Sequence, residues 1–259
     1  MKHIEVQILN PNSIGEAEKM AVFDARLTQR AEKIGNMEDL INLYNKSYTE
    51  DFVKKLCNLP HPTLQKMEVI NVAVVGASRR FLAQITRHQN EVKFMSGSLQ
   101  YSDYSAEDNK TGFVVPYDYI DTPLQKEYIE ACKKQFEVYQ QLIEKGIFEF
   151  KIIEANDAAG YAMPQGLRNV LIISATPYQW KHMIGQRICR RNTLETRYVM
   201  LKIWEQLYKQ NPSLFGSLDW GCLGAMCREG SKSCCNPFPK GVTPADILKS
   251  DFSKIYKQE

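Results

Sequence analysis

Apolar and polar residues alternate along Ile4-Glu-Val-Gln-Ile-Leu9 and the alternation stops at Asn10-Pro-Asn, which predicts a strand with one buried face. Two stretches of helical periodicity follow, about Gly15 to Lys33 and Met37 to Leu59, divided by Ile34-Gly-Asn. Pro60-His61-Pro62 then acts as a rigid connector. The run from Val69 to Gly76 is apolar, rich in β-branched residues and closed by a glycine, so it predicts a buried strand. Ser78 caps a helix whose apolar face is Phe81, Leu82, Ile85 and His88; Arg79, Arg80, Gln84, Arg87 and Gln89 fill its other positions. Polar Asp103 to Asp121 reads as a loop with one short strand. Thr122-Pro123 starts the clearest amphipathic helix, in which Tyr128, Cys132, Phe136, Tyr139 and Ile143 keep helical spacing to Gly146. That aromatic stripe fits a core or a subunit interface better than a cofactor-binding face. Leu167 to Thr176 predicts another strand, and Pro177 opens a helix to about Gln186. Leu194, Tyr198, Leu201, Trp204 and Leu207 form one face of the next helix. No repeat or low-complexity linker interrupts the chain, which predicts one domain over residues 1–259.

Composition narrows the function classes. A chain of 259 residues can bury a sizeable core. Its net charge of +3 is too weak to predict a nucleic-acid partner, while it suits a small anionic substrate. No apolar run is long enough to span a membrane, and no signal-peptide core is present at the N-terminus. Seven cysteines without an export signal fit a reducing, cytoplasmic setting with free or metal-bound thiols.

Chemistry concentrates between Ser78 and Ser102. The cationic helix feeds a small-residue loop, Ser96, Gly97, Ser98 and Ser102, where backbone amides can approach an anion. Spacing alone leaves a solvated arginine face beside an ordinary turn as the alternative.

Two motifs carry a family resemblance. Gln84-Ile-Thr-Arg-His-Gln89 followed by Ser98-Leu-Gln-Tyr-Ser102 resembles the Gln-x-x-Arg-His-Arg and Ser-x-Arg-Tyr signature of the flavin-dependent thymidylate synthases. Further on, Gly160 to Arg197 resembles that family's C-terminal half, with Pro164, Arg187, Cys189, Glu195 and Arg197 agreeing. The Cys222 to Cys234 tail is similar to one branch of it. The likeness covers about residues 69–235, with a cysteine-rich extension at 216–240.

The resemblance implies an α+β fold, a mostly antiparallel sheet with flanking helices, assembled as a homotetramer. It implies reductive methylation of dUMP at C5, with FAD as cofactor, NADPH as reductant and methylenetetrahydrofolate as carbon donor. Carried over by motif, Arg187 and Ser98 are the catalytic positions, and Gln84, Arg87, Ser98, Gln100 and Arg187 bind the nucleotide. Arg87, His88, Gln89, Tyr178, His182 and Arg191 fall at the cofactor.

Departures from the family pattern are numerous. Gly160 and Gln100 replace arginines that grip the nucleotide phosphate in relatives, Gln89 replaces a motif arginine, and Tyr178 replaces a flavin-contacting one. Met67 stands where a histidine is expected, and Asn192-Thr-Leu replaces Ala-Gln-Trp. They favour a divergent paralogue that methylates or hydroxymethylates another pyrimidine nucleotide. A function for such a chain without catalysis would be nucleotide binding or zinc-stabilised interaction. Cys189, Cys222, Cys227 and Cys234 can supply four thiolates to a structural zinc, although no Cys-x-x-Cys pair marks the site.

Overall fold

Four strands form one sheet in the computed structural model, which describes residues 1, 3–59, 61–105, 110–216, 218, 238–239 and 241–257. The strands are β1 (Glu5–Ile8), β2 (Ile70–Ser78), β3 (Val92–Ser96) and β4 (Arg168–Ala175), in the order β1-β2-β4-β3. In each adjacent pair the end of one strand bonds to the start of its neighbour. Leu9 donates to Asn71, Arg79 to Leu167 and Gly97 to Val170, so the sheet is antiparallel, as expected. The helices are α1 (Asn12–Arg30), α2 (Met37–Tyr44), α3 (Glu50–Cys57), α4 (Arg79–Ile85), α5 (Pro123–Phe148), α6 (Ala155–Gly160), α7 (Pro177–Arg187), α8 (Leu194–Gln210), α9 (Pro212–Phe215) and α10 (Pro244–Asp251). The fold class is α+β.

The chain divides into two compact units that alternate along the sequence. The first comprises Met1–Glu5, Val74–Arg87 and Phe94–Ile172; the second comprises Val6–Ala73, His88–Lys93 and Ile173–Glu259. In the first, α5 packs on α6. Its buried residues Tyr139 and Ile143 join Tyr104, Ala159 and Leu167 in a cluster that Phe136 flanks, so much of the aromatic stripe is core. In the second, α8 packs against α7, α9 and α10. Trp180 and Trp204 are fully buried there, and each indole N–H has a carbonyl partner, Ile70 at 3.1 Å and Phe215 at 2.9 Å. Truncating either to alanine should cost roughly 3–5 kcal/mol.

Four sequence expectations are corrected. The stretch from Met37 to Leu59 is two helices, because Thr49 caps a new one by accepting from Phe52 N. Arg26 holds the intervening Lys46 and Ser47 carbonyls at 2.7 Å. Gly76 does not end its strand; it sits within β2 at φ +87°, where a Cβ would come 2.6 Å from the His3 carbonyl. The helix capped by Ser78 stops at Ile85, so Arg87, His88 and Gln89 lie beyond it in a turn that leads to β3. Thr122 precedes α5 without capping it; its hydroxyl donates to the Tyr119 carbonyl instead.

Candidate active site

Helix α7 carries a polar cluster in the second unit. Thr176 caps it by accepting from Gln179 N, and Pro177 occupies the first turn. Trp180, Met183, Ile184 and Gly185 are buried on it, which leaves Tyr178, His182 and Gln186 half-buried at successive intervals of four. Arg187 is its last residue, where a cation complements the helix dipole.

His88 meets that end of the helix. Its side chain is buried, and its Nε2 accepts from Arg187 Nε at 2.8 Å. An imidazole that accepts at Nε2 is neutral and carries its proton on Nδ1. Burial, then the Arg187 charge and His182, push His88 down to about 4, so it stays neutral at physiological pH. The His88 contact therefore orients the guanidinium without cancelling its charge. The His182 ring lies edge-on to His88, with centroids 6.1 Å apart. Gln186 Nε2 lies 3.0 Å from His182 Nε2, and an amide nitrogen only donates, so this imidazole too accepts at Nε2.

Beside His182 lies a cavity of about 410 Å³, lined also by Tyr178, Gln179, Lys66, Asn90 and Glu91. Lys66 Nζ bonds Glu91 at 2.8 Å and stands 5.0 Å from the centre of the Tyr178 ring. Sequence reasoning missed Lys66, Asn90, Glu91 and Gln179. They sit in two loops and on α7, and no spacing rule links them.

The remaining expected residues distribute as follows. Gln89 and Arg191 are exposed in the second unit. Gln84, Arg87, Ser98 and Gln100 belong to the first unit, where Arg87 is exposed and the other three are half-buried. Ser98 Oγ accepts from Gln100 N at 3.1 Å, and the Ser98 carbonyl accepts from Ser102 N at 3.3 Å. With Gly97 N bonded to Val170, these loop amides are committed internally, so the expected amide cradle for an anion is not formed by them. At Gly160 an added Cβ would rest against Leu99 at 3.4 Å, an ordinary packing distance. Arg190 is drawn to Asp251 at 3.6 Å and to the Phe238 ring at 4.3 Å. Of the thiolates, Cys189 is half-buried and not disulfide-bonded; Cys222, Cys227 and Cys234 lie outside the described residues. Among the described residues no group of three or more His, Cys, Asp or Glu could hold a metal ion. No helix among them is long and apolar enough to cross a membrane.

The second unit thus carries an arginine aligned by a neutral imidazole, and a cavity walled by an aromatic ring, two amides and His182. Comparison with known proteins supplies the class. The family model described as thymidylate synthase complementing protein matches residues 12–213, so the chain belongs to that family. It is a divergent member, an enzyme of the flavin-dependent thymidylate synthase type. The flavin-dependent thymidylate synthase of Thermococcus kodakarensis (strain ATCC BAA-918 / JCM 12380 / KOD1) is 28% identical over 64% of this chain and 65% of its own. That of Thermococcus onnurineus (strain NA1) is 23% identical over 69% of each. Among solved structures, the UMP/dUMP methylase PolB from Streptomyces cacaoi, bound with 5-Br dUMP, aligns with a TM-score of 0.59 at 17% identity. It covers 82% of this chain and 93% of that one. Thymidylate Synthase X from Helicobacter pylori, with FAD and dUMP, aligns at 0.54 and 15% identity, over 82% of this chain and 97% of that one. Both show the shared fold.

Proposed function

We propose that this enzyme reductively methylates dUMP at C5, with methylenetetrahydrofolate as carbon donor, FAD as cofactor and NADPH as reductant. The observation that carries the reading is Arg187, held through Nε by neutral His88 at 2.8 Å. Its two Nη atoms form a planar fork, a shape suited to the carbonyls of a uracil ring. A cation there stabilises enolate charge as it develops on the ring, with no protonation of His88 required. The rigid contact also means the fork need not reorganise during the reaction.

The residues around Tyr178 fit a flavin. An isoalloxazine presents an apolar face and a polar edge. The cavity offers an aromatic ring, the amides of Gln179 and Asn90, His182 and the Lys66 ammonium. With His88, Gln89, Arg87 and Arg191 these would hold the cofactor, while Gln84, Ser98 and Gln100 bind nucleotide. The flavin, when bound, supplies hydride. We further propose that the assembly is a homotetramer whose sites draw on more than one copy.

Gln100 and Gly160, which stand where the family pattern has arginines, support a second reading, in which another pyrimidine nucleotide is methylated or hydroxymethylated. One experiment separates the two. Purified protein should be yellow with bound FAD and should release tritium from 5-tritiated dUMP in the presence of methylenetetrahydrofolate and NADPH. Release from 5-tritiated UMP or dCMP with none from dUMP selects the second reading. Colourless protein that no added FAD turns yellow overturns both.

A further inference from the structure

A second cavity, of about 370 Å³, lies wholly within the first unit and is assigned no role by the flavin reading. Its wall includes Arg168, Asn169, Lys110 and Thr111, with Gly76 and Gly97. Both glycines make room for the polar side chains. A Cβ at Gly76 would lie 2.7 Å from Arg168 Nη2, and one at Gly97 would lie 2.8 Å from Asn169 Oδ1. Arg168 is tied down by its Nη2 bond to the His3 carbonyl at 2.9 Å, which fixes the guanidinium at the cavity wall.

Asn169 is the anomaly. It is 7% exposed, its Oδ1 accepts from Val170 N at 2.8 Å, and its Nδ2 has no hydrogen-bond partner. A buried amide donor left unmade is costly, and native structures seldom keep one without a reason. Charge points the same way. Lys110 and Arg168 face one carboxylate, Asp103, whose Oδ1 already accepts from Ser105 N at 2.8 Å and from Ser105 Oγ at 2.5 Å. Among the described residues of the wall one positive charge is left over. Two cations, a fixed guanidinium fork and an unsatisfied amide donor match an oxyanion with several acceptor oxygens.

We propose that this cavity binds a phosphate group, either inorganic phosphate or the monoester of a nucleotide. The argument uses none of the flavin-site residues. Titration calorimetry of the full chain with inorganic phosphate tests it, on wild type, K110A, R168Q and K126A. Lys110 is exposed, so K110A should fold normally; R168Q also loses the His3 contact, and its thermal unfolding is recorded alongside. Loss of one charge-assisted contact should weaken phosphate roughly tenfold or more in K110A and R168Q, and K126A should match wild type. Titration with dUMP and deoxyuridine identifies the source. If K110A weakens dUMP and spares deoxyuridine, the bound group is the nucleotide's own; if dUMP is unaffected while phosphate weakens, the site serves free phosphate. Both outcomes sustain the proposal. Phosphate and dUMP affinities unchanged in K110A and R168Q, or no phosphate binding together with a dUMP affinity that K110A leaves unchanged, overturn it. Flavin absorbance of the same samples keeps the two readings apart: colourless protein with the expected phosphate response overturns only the flavin reading, and yellow protein indifferent to Lys110 overturns only this one.

Discussion

Arg187 at the end of α7 and Arg197 on α8 are ten positions apart in one unit, yet they are put to opposite uses. Arg197 is 4% exposed, donates from Nε to the Ile188 carbonyl at 3.1 Å and pairs through Nη2 with Asp251. Burial would raise the Asp251 carboxyl, but hydrogen bonds from Arg197 and Ser250 and the charges of Arg197 and Arg190 hold it below the usual carboxylate range. That arginine's charge is spent on tying α8 to α10. Arg187 is half-buried and its Nε partner is an imidazole kept neutral by burial and by the arginine itself. The same guanidinium becomes a structural pin when its partner is a carboxylate and an oriented cation when its partner is a neutral acceptor. A motif match at both positions does not distinguish these roles; the partner does.

The comparison is broken most forcefully at Asp251. D251A leaves a buried charge without its carboxylate and should cost about 3–5 kcal/mol, read as a lower urea midpoint. Tritium release per folded molecule should change little. R187A should do the converse, lowering kcat/KM for dUMP by roughly 10²–10³ with only a small shift of the unfolding midpoint.

A pH series sharpens the contrast. The folded state holds His88 at about 4, below the ordinary 6.5, so between those values the unfolded chain binds more protons. Stability from this group is therefore complete above 6.5 and is lost as pH falls toward 4, by roughly 3 kcal/mol at most. H88Q should flatten that part of the stability–pH curve, measured by calorimetry. The smallest effect belongs to Lys66. Its pair with Glu91 is 30% and 41% exposed, so K66A should cost no more than about 1 kcal/mol in stability and weaken flavin binding a few-fold.

How much of this was legible in the sequence depends on the range of the interaction that decides it. Helix α5 was readable from Thr122-Pro123 onward because its apolar period runs unbroken for many turns. The end of α4 was not. Periodicity continues to His88, but the backbone leaves the helix after Ile85, and Thr86 Oγ1 turns back to the Leu82 carbonyl at 2.9 Å. A left-handed residue, Glu91 at φ 56°, then helps turn the chain into β3. Local pattern cannot see that constraint. The pairing of His88 with Arg187 spans 99 positions and was not expected: the family motifs put His88 at the cofactor and Arg187 at the nucleotide without joining them. Lys66 lies outside both motifs, Asn90 and Gln179 are not among their matching positions, and only the fold gathers the three around Tyr178. The unpaired Asn169 amide was likewise invisible, since nothing in Arg168-Asn-Val170 states which of its atoms the fold leaves unmatched.

The central claim is that His88 positions Arg187 without neutralising it, and two substitutions at one residue test it directly. H88Q keeps an uncharged acceptor near Nε, whereas H88E replaces it with a carboxylate. With FAD content and unfolding temperature recorded for each, H88Q should keep tritium release from 5-tritiated dUMP within about tenfold of wild type, and H88E should fall as far as R187A. Equal activity in H88Q and H88E would contradict the account.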